Sequence, residues 1–214
     1  MIFVGGKGDV KITDSGQVTN YSKNFALRLR GRHLSEGGYA IAVIGPPSDH
    51  LSDIRRFRST SSHAEDIGKA ISYLRQKFGV PVWLHGTSWG SVSVANAAVR
   101  LKDVETRPDG IILSASIMKA NKGGSNLFRM DLDEINGPVL ILHHKKDSCE
   151  KTPARKVDDL SKKLVNARPV LPIIYEGGGV AQGDRCEARH FHGFVGLDKT
   201  VANDIHKFID DNLK

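Results

Sequence analysis

VPVWLHGTSWGSVSVANAA, residues 80–98, is the stretch that decides the fold. Its apolar run, Val80–Leu84, leads through His85 into Gly86-Thr87-Ser88-Trp89-Gly90, and a segment rich in small residues follows. Glycines two positions before and two after a serine let a strand turn sharply into a helix, with the serine hydroxyl exposed on the turn. The stretch therefore predicts a strand, a tight turn and a helix, with Ser88 as a candidate nucleophile. The alternative is a glycine-containing loop whose serine only caps the helix.

The rest of the chain repeats this alternation of apolar runs and amphipathic segments. The runs are rich in Val and Ile and apolar at consecutive positions, which is typical of parallel strands buried on both faces. They are Ile2–Val4, Tyr39–Ile44, Val80–Leu84, Gly110–Leu113, Val139–Leu142 and Val170–Tyr175. The alternation predicts an α/β fold, a three-layer α/β/α sandwich with a mostly parallel sheet of about six strands.

Three segments between the strands have a clear helical period. Apolar residues recur at steps of three and four within residues 64–78, 157–164 and 201–209. Ser62 followed by Glu65 predicts a capping box at the start of the first of these helices. Thr152 before Pro153 predicts an N-cap with proline at the first helical position of the second.

Length and composition fit one domain that spans residues 1–214. The chain has 214 residues, and no internal repeat, low-complexity tract or linker interrupts it. The segment between Met118 and Gly137 is too short for a helical lid, so we expect no lid domain. No window approaches the roughly 18–20 apolar residues of a membrane span, and we expect no membrane association.

The chain is basic, with a formal net charge of +7. This charge raises the possibility of nucleic-acid binding, but no nucleic-acid motif and no basic stripe interleaved with aromatic residues accompanies it. We therefore expect no nucleic-acid partner, and interpret the charge as a surface property or a preference for anionic substrates. The arginines expected on a solvated face are Arg28, Arg30, Arg32, Arg55, Arg56 and Arg58.

A serine nucleophile needs a histidine base and a carboxylate that orients the histidine. Asp147 follows the run Val139–Leu142, and His192 precedes Gly193 and Phe194 just before the last helical segment. The order Ser88, Asp147, His192 is one of the known orders of such a triad. His190 is the alternative base, and we prefer His192 because a glycine follows it.

The other histidines have simpler interpretations. We expect His85 to be buried and hydrogen-bonded, and His143 and His144 to be loop or core residues. Four lie in helical or loop surroundings and are expected at the surface: His33, His50, His63 and His206.

Backbone amides must stabilise the negative charge that develops on a carbonyl oxygen during acyl transfer. One donor is expected from Trp89, directly after the nucleophile, and the other from the Gly5–Gly8 loop after the first strand. In that loop the Lys7 amide is the first choice and Gly6 the second. The side chain of Trp89 forms a wall of the pocket or packs beneath the loop at residues 47–50. The Gly5–Gly8 loop lacks the full phosphate-binding pattern, and no spacing of Cys or His predicts a metal site.

The whole chain resembles the α/β-hydrolases. The resemblance rests on Gly5–Gly8, Gly86–Gly90, Asp147 and His192-Gly193-Phe194, in that order. More narrowly, the chain is similar to a group of small, lid-less bacterial hydrolase-like proteins of the serine esterase type. The features shared with that group are Asn24-Phe25, Pro47-Ser48-Asp49, Cys149 and Cys186. The resemblance implies a serine hydrolase that cleaves an ester, thioester or amide, most simply a carboxylic ester, in a small-molecule acyl substrate without a cofactor.

By the same resemblance, the strand at Ile2–Val4 corresponds to the third of the usual eight strands. The chain would then lack the first two strands of the hydrolase core, either as a minimal form or because a piece precedes Met1. We expect a cytoplasmic protein from the chain as given, and a periplasmic or secreted one if such a piece is missing.

Cys149 and Cys186 lie near the proposed acid and base. If Asp147 and His192 meet, the two cysteines come within bonding reach, so we weigh a disulfide against two free thiols. A disulfide would suit an oxidising compartment.

The alternative to catalysis is a hydrolase fold retained as a binding or scaffolding module. The triad residues in the required order favour the enzyme. The sequence pattern specifies neither a particular acyl group nor an oligomeric state.

Overall fold

Five parallel strands form the central sheet of the computed structural model, which describes residues 1–21, 23–119 and 124–213. The strands follow one another across the sheet in chain order, and each pairs in parallel with the next. They are β1 (Ile2–Phe3), β2 (Trp83–Thr87), β3 (Gly110–Ser114), β4 (Val139–His144) and β5 (Val170–Tyr175).

The expectation of about six strands was too high by one. The segment Tyr39–Ile44 makes a single parallel bridge, between Val43 and Ile2. Ile2 donates to the Ala42 carbonyl at 2.8 Å and accepts from the Ile44 amide at 3.1 Å. Successive residues of a strand direct their backbone groups to opposite neighbours. Because β1 has only two residues, it offers one residue to this segment, and no regular ladder forms.

Helices cover both faces of the sheet, as the three-layer prediction requires. The α-helices are α1 (Phe25–Arg28), α2 (Arg30–Ser35), α3 (Ser61–Phe78), α4 (Gly90–Arg100), α5 (Val157–Lys163) and α6 (Asp198–Asp210). Short 3₁₀ turns lie at Phe57–Ser59, Leu127–Arg129, Leu132–Glu134, Ala154–Lys156 and Phe191–Gly193. Residues 120–123, within the segment expected to be too short for a lid, lie outside the described part.

Alternate strand residues divide the core between the two layers. Leu113 and Ile141 pack into one cluster with α3, α4 and α5. Ile112 and Leu140 point the other way, into a cluster with α1 and α6. This alternation follows from the two-residue period of a strand, and it confirms the three-layer sandwich.

Both predicted helix caps were wrong. Thr60, not Ser62, caps α3, and its hydroxyl accepts a hydrogen bond from the His63 amide at 3.2 Å. Thr152 does not cap α5, because a 3₁₀ turn intervenes and its hydroxyl donates to the Asp147 carboxylate instead. The hydrogen bond of a hydroxyl with a charged carboxylate is stronger than its hydrogen bond with a backbone amide.

Several polar residues expected at the surface are buried. His33 and His206 are buried against each other, with 2.9 Å between Nδ1 of the first and Nε2 of the second. His63 is buried on Ser93, with 2.8 Å between its Nε2 and the serine hydroxyl. His50 is exposed, as predicted. These burials are possible because a neutral imidazole with a hydrogen-bond partner costs far less to bury than a charge.

The prediction of a solvated arginine face is wrong for two residues, Arg58 and Arg28. Arg58 is only 1% exposed. Arg28 is half-buried and binds the Asp198 carboxylate with two nitrogens, Nε at 3.1 Å and Nη2 at 2.7 Å. Both side chains reach partners far along the chain, which the spacing of arginines in the sequence does not reveal.

Strand β5 forms one edge of the sheet. The carbonyls of Pro169 and Tyr175 accept hydrogen bonds from Val139 at 2.9 Å and Lys145 at 2.8 Å. Odd-numbered residues of β5 therefore direct their backbone groups toward β4. Pro172, at an even position, directs its backbone to the outer side, where a proline has no N–H to offer.

Within the described ranges, no helix has both the length and the apolar character needed to cross a membrane.

Candidate active site

Ser88 sits on the sharp turn between β2 and α4, with a φ of 54°. A residue with a side chain seldom adopts this left-handed conformation, so the turn is strained. Two glycines make it possible. A Cβ on Gly86 would lie 2.3 Å from the Gly90 carbonyl oxygen, and a Cβ on Gly90 would lie 2.0 Å from the Phe3 oxygen. The Ser88 amide donates to the Ser114 carbonyl at 2.9 Å, which anchors the turn to β3.

The glycine loop after β1 lies directly against this serine. A Cβ on Gly5 would lie 3.0 Å from Ser88 Cβ and 3.6 Å from its hydroxyl oxygen. Gly6 and Lys7 follow at the exposed side of the loop. The Trp89 side chain is 4% exposed and packs in the core with α3 and α4.

The structure brings Asp147 and His192 together. Their side chains are 0% and 5% exposed, and 3.0 Å separates Asp147 Oδ2 from His192 Nδ1. His192 lies in the 3₁₀ turn at residues 191–193. Gly193 is necessary there, because a Cβ on it would lie 2.2 Å from the Ala188 carbonyl oxygen. His190 takes no part in the pair, and its ring meets Phe191 edge-on at 5.3 Å.

All three candidate residues follow carboxyl ends of strands at one edge of the sheet. Ser88 comes after β2, Asp147 after β4 and His192 after β5. Within the described part of the chain, the side-chain hydrogen bonds of His192 go to Asp147 and Thr152, and none joins it to Ser88.

The Asp147 carboxylate is surrounded by donors. Its Oδ1 accepts from the Cys149 amide at 2.9 Å, and its Oδ2 accepts from the Thr152 hydroxyl at 2.8 Å. Burial acts to raise the pKa of Asp147, but the hydrogen bond and charge of His192, with the donors Cys149 and Thr152, hold this pKa below its usual value. The carboxylate is therefore ionised at neutral pH, which suits a group that orients a histidine.

Thr152 is the site residue that the sequence did not reveal. Its Oγ lies 3.2 Å from His192 Nδ1 as well as bonding Asp147. The proline after it indicated a helix cap. A hydroxyl five positions after an acid carries no signal of contact with it.

A disulfide joins Cys149 and Cys186, 37 residues apart in the chain. It links the loop that carries Asp147 to the loop that leads into His192. An ion pair between Glu150 and Arg185, at 2.6 Å, links the same two loops.

Three further histidines lie in the strands that lead to the candidate site, His85 in β2 and His143 and His144 in β4. His143 accepts from the Ser116 amide at 2.8 Å, and burial lowers its pKa to about 4. His85 contacts the Ser114 hydroxyl at 2.9 Å, and burial lowers its pKa to about 3. His144 is buried and stacks on Phe191 at 4.7 Å. The low pKa values keep His85 and His143 neutral, and all three have structural partners.

Among the residues that the structure describes, no group of three or more His, Cys, Asp or Glu side chains is arranged to hold a metal ion.

No family model matches this sequence, and no curated protein matches it. Solved structures do. A lipase-esterase related protein from Clostridium acetobutylicum ATCC 824 superposes with a TM-score of 0.56 at 15% identity, over 97% of this chain and 93% of that one. MGS-M1, an alpha/beta hydrolase enzyme from a Medee basin deep-sea metagenome library, superposes with a TM-score of 0.53 at 17% identity, over 98% and 84%.

A cold-adapted esterase from an Arctic intertidal metagenomic library gives a TM-score of 0.50 at 18% identity, over 72% of this chain. The match spans 57% of that esterase, little more than half its length. These likenesses agree with the parallel sheet and the flanking helices. The chain has the α/β-hydrolase fold.

Proposed function

We propose that this chain is a serine hydrolase that cleaves an ester, thioester or amide, with a carboxylic ester as the simplest substrate. The observation that carries the proposal is the buried Asp147–His192 pair at the same sheet edge as the strained turn of Ser88. A binding module has no need of a strained serine at the same sheet edge as an oriented histidine. The solved structures above support the proposal through the fold that they share with this chain. The activities that their names state belong to those proteins.

In the proposed reaction, Ser88 Oγ attacks the carbonyl carbon while His192 Nε2 takes the hydroxyl proton. Asp147 holds the other ring nitrogen as N–H, so that Nε2 is free to accept. The tetrahedral intermediate collapses to an acyl-serine, and His192 returns the proton to the leaving group. Water then attacks the acyl-serine in the same way, releasing the acid and restoring Ser88.

The oxyanion would be stabilised by two backbone amides. Trp89 lies at the start of α4, where amides and the positive end of the helix dipole favour negative charge. The second donor is the amide of Lys7 or Gly6, in the loop that lies against Ser88. We propose a single domain without a lid, which would leave this edge open to small acyl substrates.

The test is covalent labelling with a fluorophosphonate, followed by hydrolysis of p-nitrophenyl esters of increasing chain length. Wild type should be labelled and Ser88→Ala should not. Ser62→Ala, an exposed serine at the start of α3, is the matched control and should behave as wild type. An unlabelled, folded wild type would contradict the proposal and favour a binding module.

A further inference from the structure

Arg58 is a buried cation that the proposed chemistry does not use. Its side chain is 1% exposed, and it donates to Ser93 Oγ at 2.7 Å and to the Val4 carbonyl at 2.9 Å. Neither acceptor is a carboxylate, and Nε has no hydrogen-bond partner within the described part of the chain. Burial lowers the pKa of Arg58 to about 10, so the group stays protonated at neutral pH.

A buried charge without a carboxylate partner destabilises the folded protein. An apolar side chain of similar length would fill the same space without that cost. The two acceptors of Arg58 therefore indicate the structural role of its buried charge.

The first acceptor, the Val4 carbonyl, orients the start of the Gly5–Gly8 loop. The Val4 carbonyl is held between Arg58 and helix α4, because a Cβ on Gly90 would lie only 3.1 Å from its oxygen. A peptide unit is planar, so fixing this carbonyl also fixes the amide of Gly5. Gly5 is the residue whose backbone lies against Ser88.

The segment that carries Arg58 also holds the far side of the loop. The Ile54 amide donates to the Lys7 carbonyl at 3.0 Å, and the Arg58 amide donates to the Ile54 carbonyl at 3.0 Å. Gly8 packs on the guanidinium so closely that a Cβ there would lie 2.3 Å from Arg58 Nη2. The loop is thus held at Val4, at Lys7 and at Gly8 by one short segment.

The second acceptor lies on the other arm of the proposed oxyanion hole. Ser93 belongs to α4, the helix that begins directly after Trp89. The guanidinium therefore joins the helix that presents one amide donor to the loop that presents the other. Its positive charge packs against the loop at Val4 and Gly8.

We infer that Arg58 is the positioning residue of the oxyanion hole. It holds the Val4–Gly5 peptide and α4 in register, and it places a fixed positive charge behind the point where the oxyanion develops. This role rests on the proposed serine hydrolase function.

The experiment compares Arg58→Met, which removes the charge and both hydrogen bonds, with Arg58→Lys, which keeps the charge and reaches one acceptor. His63→Gln is the control, because His63 contacts the same Ser93 hydroxyl but not the loop. Circular dichroism and melting temperature establish folding, and kcat and KM are measured on a p-nitrophenyl ester. Hydrogen exchange of the peptide covering residues 1–10 reports on the loop.

For Arg58→Met we expect kcat to fall at least about tenfold, with KM nearly unchanged. This loss is smaller than the roughly 10²–10³-fold loss of kcat that follows the removal of an oxyanion donor. Loop exchange should be faster, Arg58→Lys should recover part of kcat, and His63→Gln should leave both readouts as in wild type. If Arg58→Met does not fold, Arg58→Lys carries the test through its smaller loss of kcat.

Two outcomes separate the two proposals. Wild type that shows Ser88-dependent labelling, with kcat and loop exchange unchanged in the folded Arg58 variants, would overturn the role of Arg58. Equal losses of kcat in Arg58→Met and His63→Gln would also overturn it, because they would indicate general damage around Ser93. Wild type without labelling would overturn the hydrolase function itself.

Discussion

Thr152 donates its hydroxyl hydrogen bond to Asp147 Oδ2 across 2.8 Å. The carboxylate therefore has one oxygen on the Cys149 amide and the other shared between Thr152 and His192. A carboxylate held on both oxygens cannot rotate away from the imidazole. In the proposed mechanism this fixes the ring nitrogen that faces the serine.

Removing the hydroxyl while keeping the shape tests this arrangement. Thr152→Val should lower kcat/KM about tenfold or somewhat more, since a hydrogen bond to a charged group contributes roughly 1.5–3 kcal/mol. Thr152→Ser keeps the hydroxyl and should stay within about threefold of wild type. Steady-state kinetics on a p-nitrophenyl ester measures both. Equal rates for the valine and serine variants would show that the methyl group, not the hydroxyl, matters at this position.

The Cys149–Cys186 disulfide should stabilise the fold and the site together. It closes a span of 37 residues, and cross-links of that span contribute about 3–4 kcal/mol to the free energy of unfolding. Replacing both cysteines by serine should lower stability by that order and also lower kcat, because the cross-link ties the loop that carries Asp147 to the loop that leads into His192. Urea unfolding and ester kinetics measure the two effects.

Arg185→Ala is the matched control for the disulfide. It removes the exposed ion pair with Glu150 between the same two loops, and such pairs contribute at most about 1 kcal/mol. An arginine variant that loses as much stability as the double serine variant would show that the disulfide is not the main tie.

Four buried histidines make stability depend on pH. Burial lowers the pKa from 6.5 to about 4 for His33 and His143, and to about 3 for His63 and His85. The unfolded chain binds protons first as pH falls, so this stability is present above pH 6.5 and lost progressively below it. At pH 5 each histidine should cost about 2 kcal/mol of unfolding free energy relative to pH 8.

Urea unfolding at pH 8, 6.5 and 5 measures this dependence. His63→Gln should flatten it by the share of one group, whereas Ser62→Ala, which removes no titrating group at an exposed position, should not. A free energy of unfolding that stays constant from pH 8 to pH 5 would show that these histidines reach protons without unfolding.

Gly90 should tolerate no side chain. Gly90→Ala places a Cβ 2.0 Å from the Phe3 carbonyl oxygen, so β1 and α4 would have to separate, and we expect loss of soluble protein. Gly31→Ala is the control, since its Cβ meets nothing within 4 Å in helix α2. That variant should gain about 0.5–1 kcal/mol from helix propensity. A soluble Gly90→Ala protein with wild-type melting temperature would contradict the close approach.

The sequence predicts the parts of this molecule that depend on local pattern. The sandwich follows from alternating apolar runs, and the turn at Ser88 follows from two glycines and a serine. Asp147 and His192 were predicted as partners from their places after strands, and the structure pairs them. The roles of these residues remain proposals.

What the sequence could not predict depends on partners distant along the chain. Thr152 indicated a helix cap because nothing local shows the Asp147 carboxylate beside it. Arg58 and His63 read as surface residues because their hydrogen-bond partners, Val4 and Ser93, lie about 30 to 55 residues away. Tyr39–Ile44 forms no regular strand because β1 has only two residues and offers one of them for pairing. Apolar character alone does not set the length of a ladder.

Pro172 has a consequence for how this protein behaves in crowded solution. An exposed strand edge is a template on which a second chain can add and begin a fibre. Along the outer side of β5 the proline leaves a gap in the row of donors, and an added strand would lose a hydrogen bond in the middle of its pairing. Ile174 and Leu171 are exposed on this strand, yet the edge is poorly suited to growth by β-addition. One residue without an N–H thus makes this edge a poor template for self-association through strand addition.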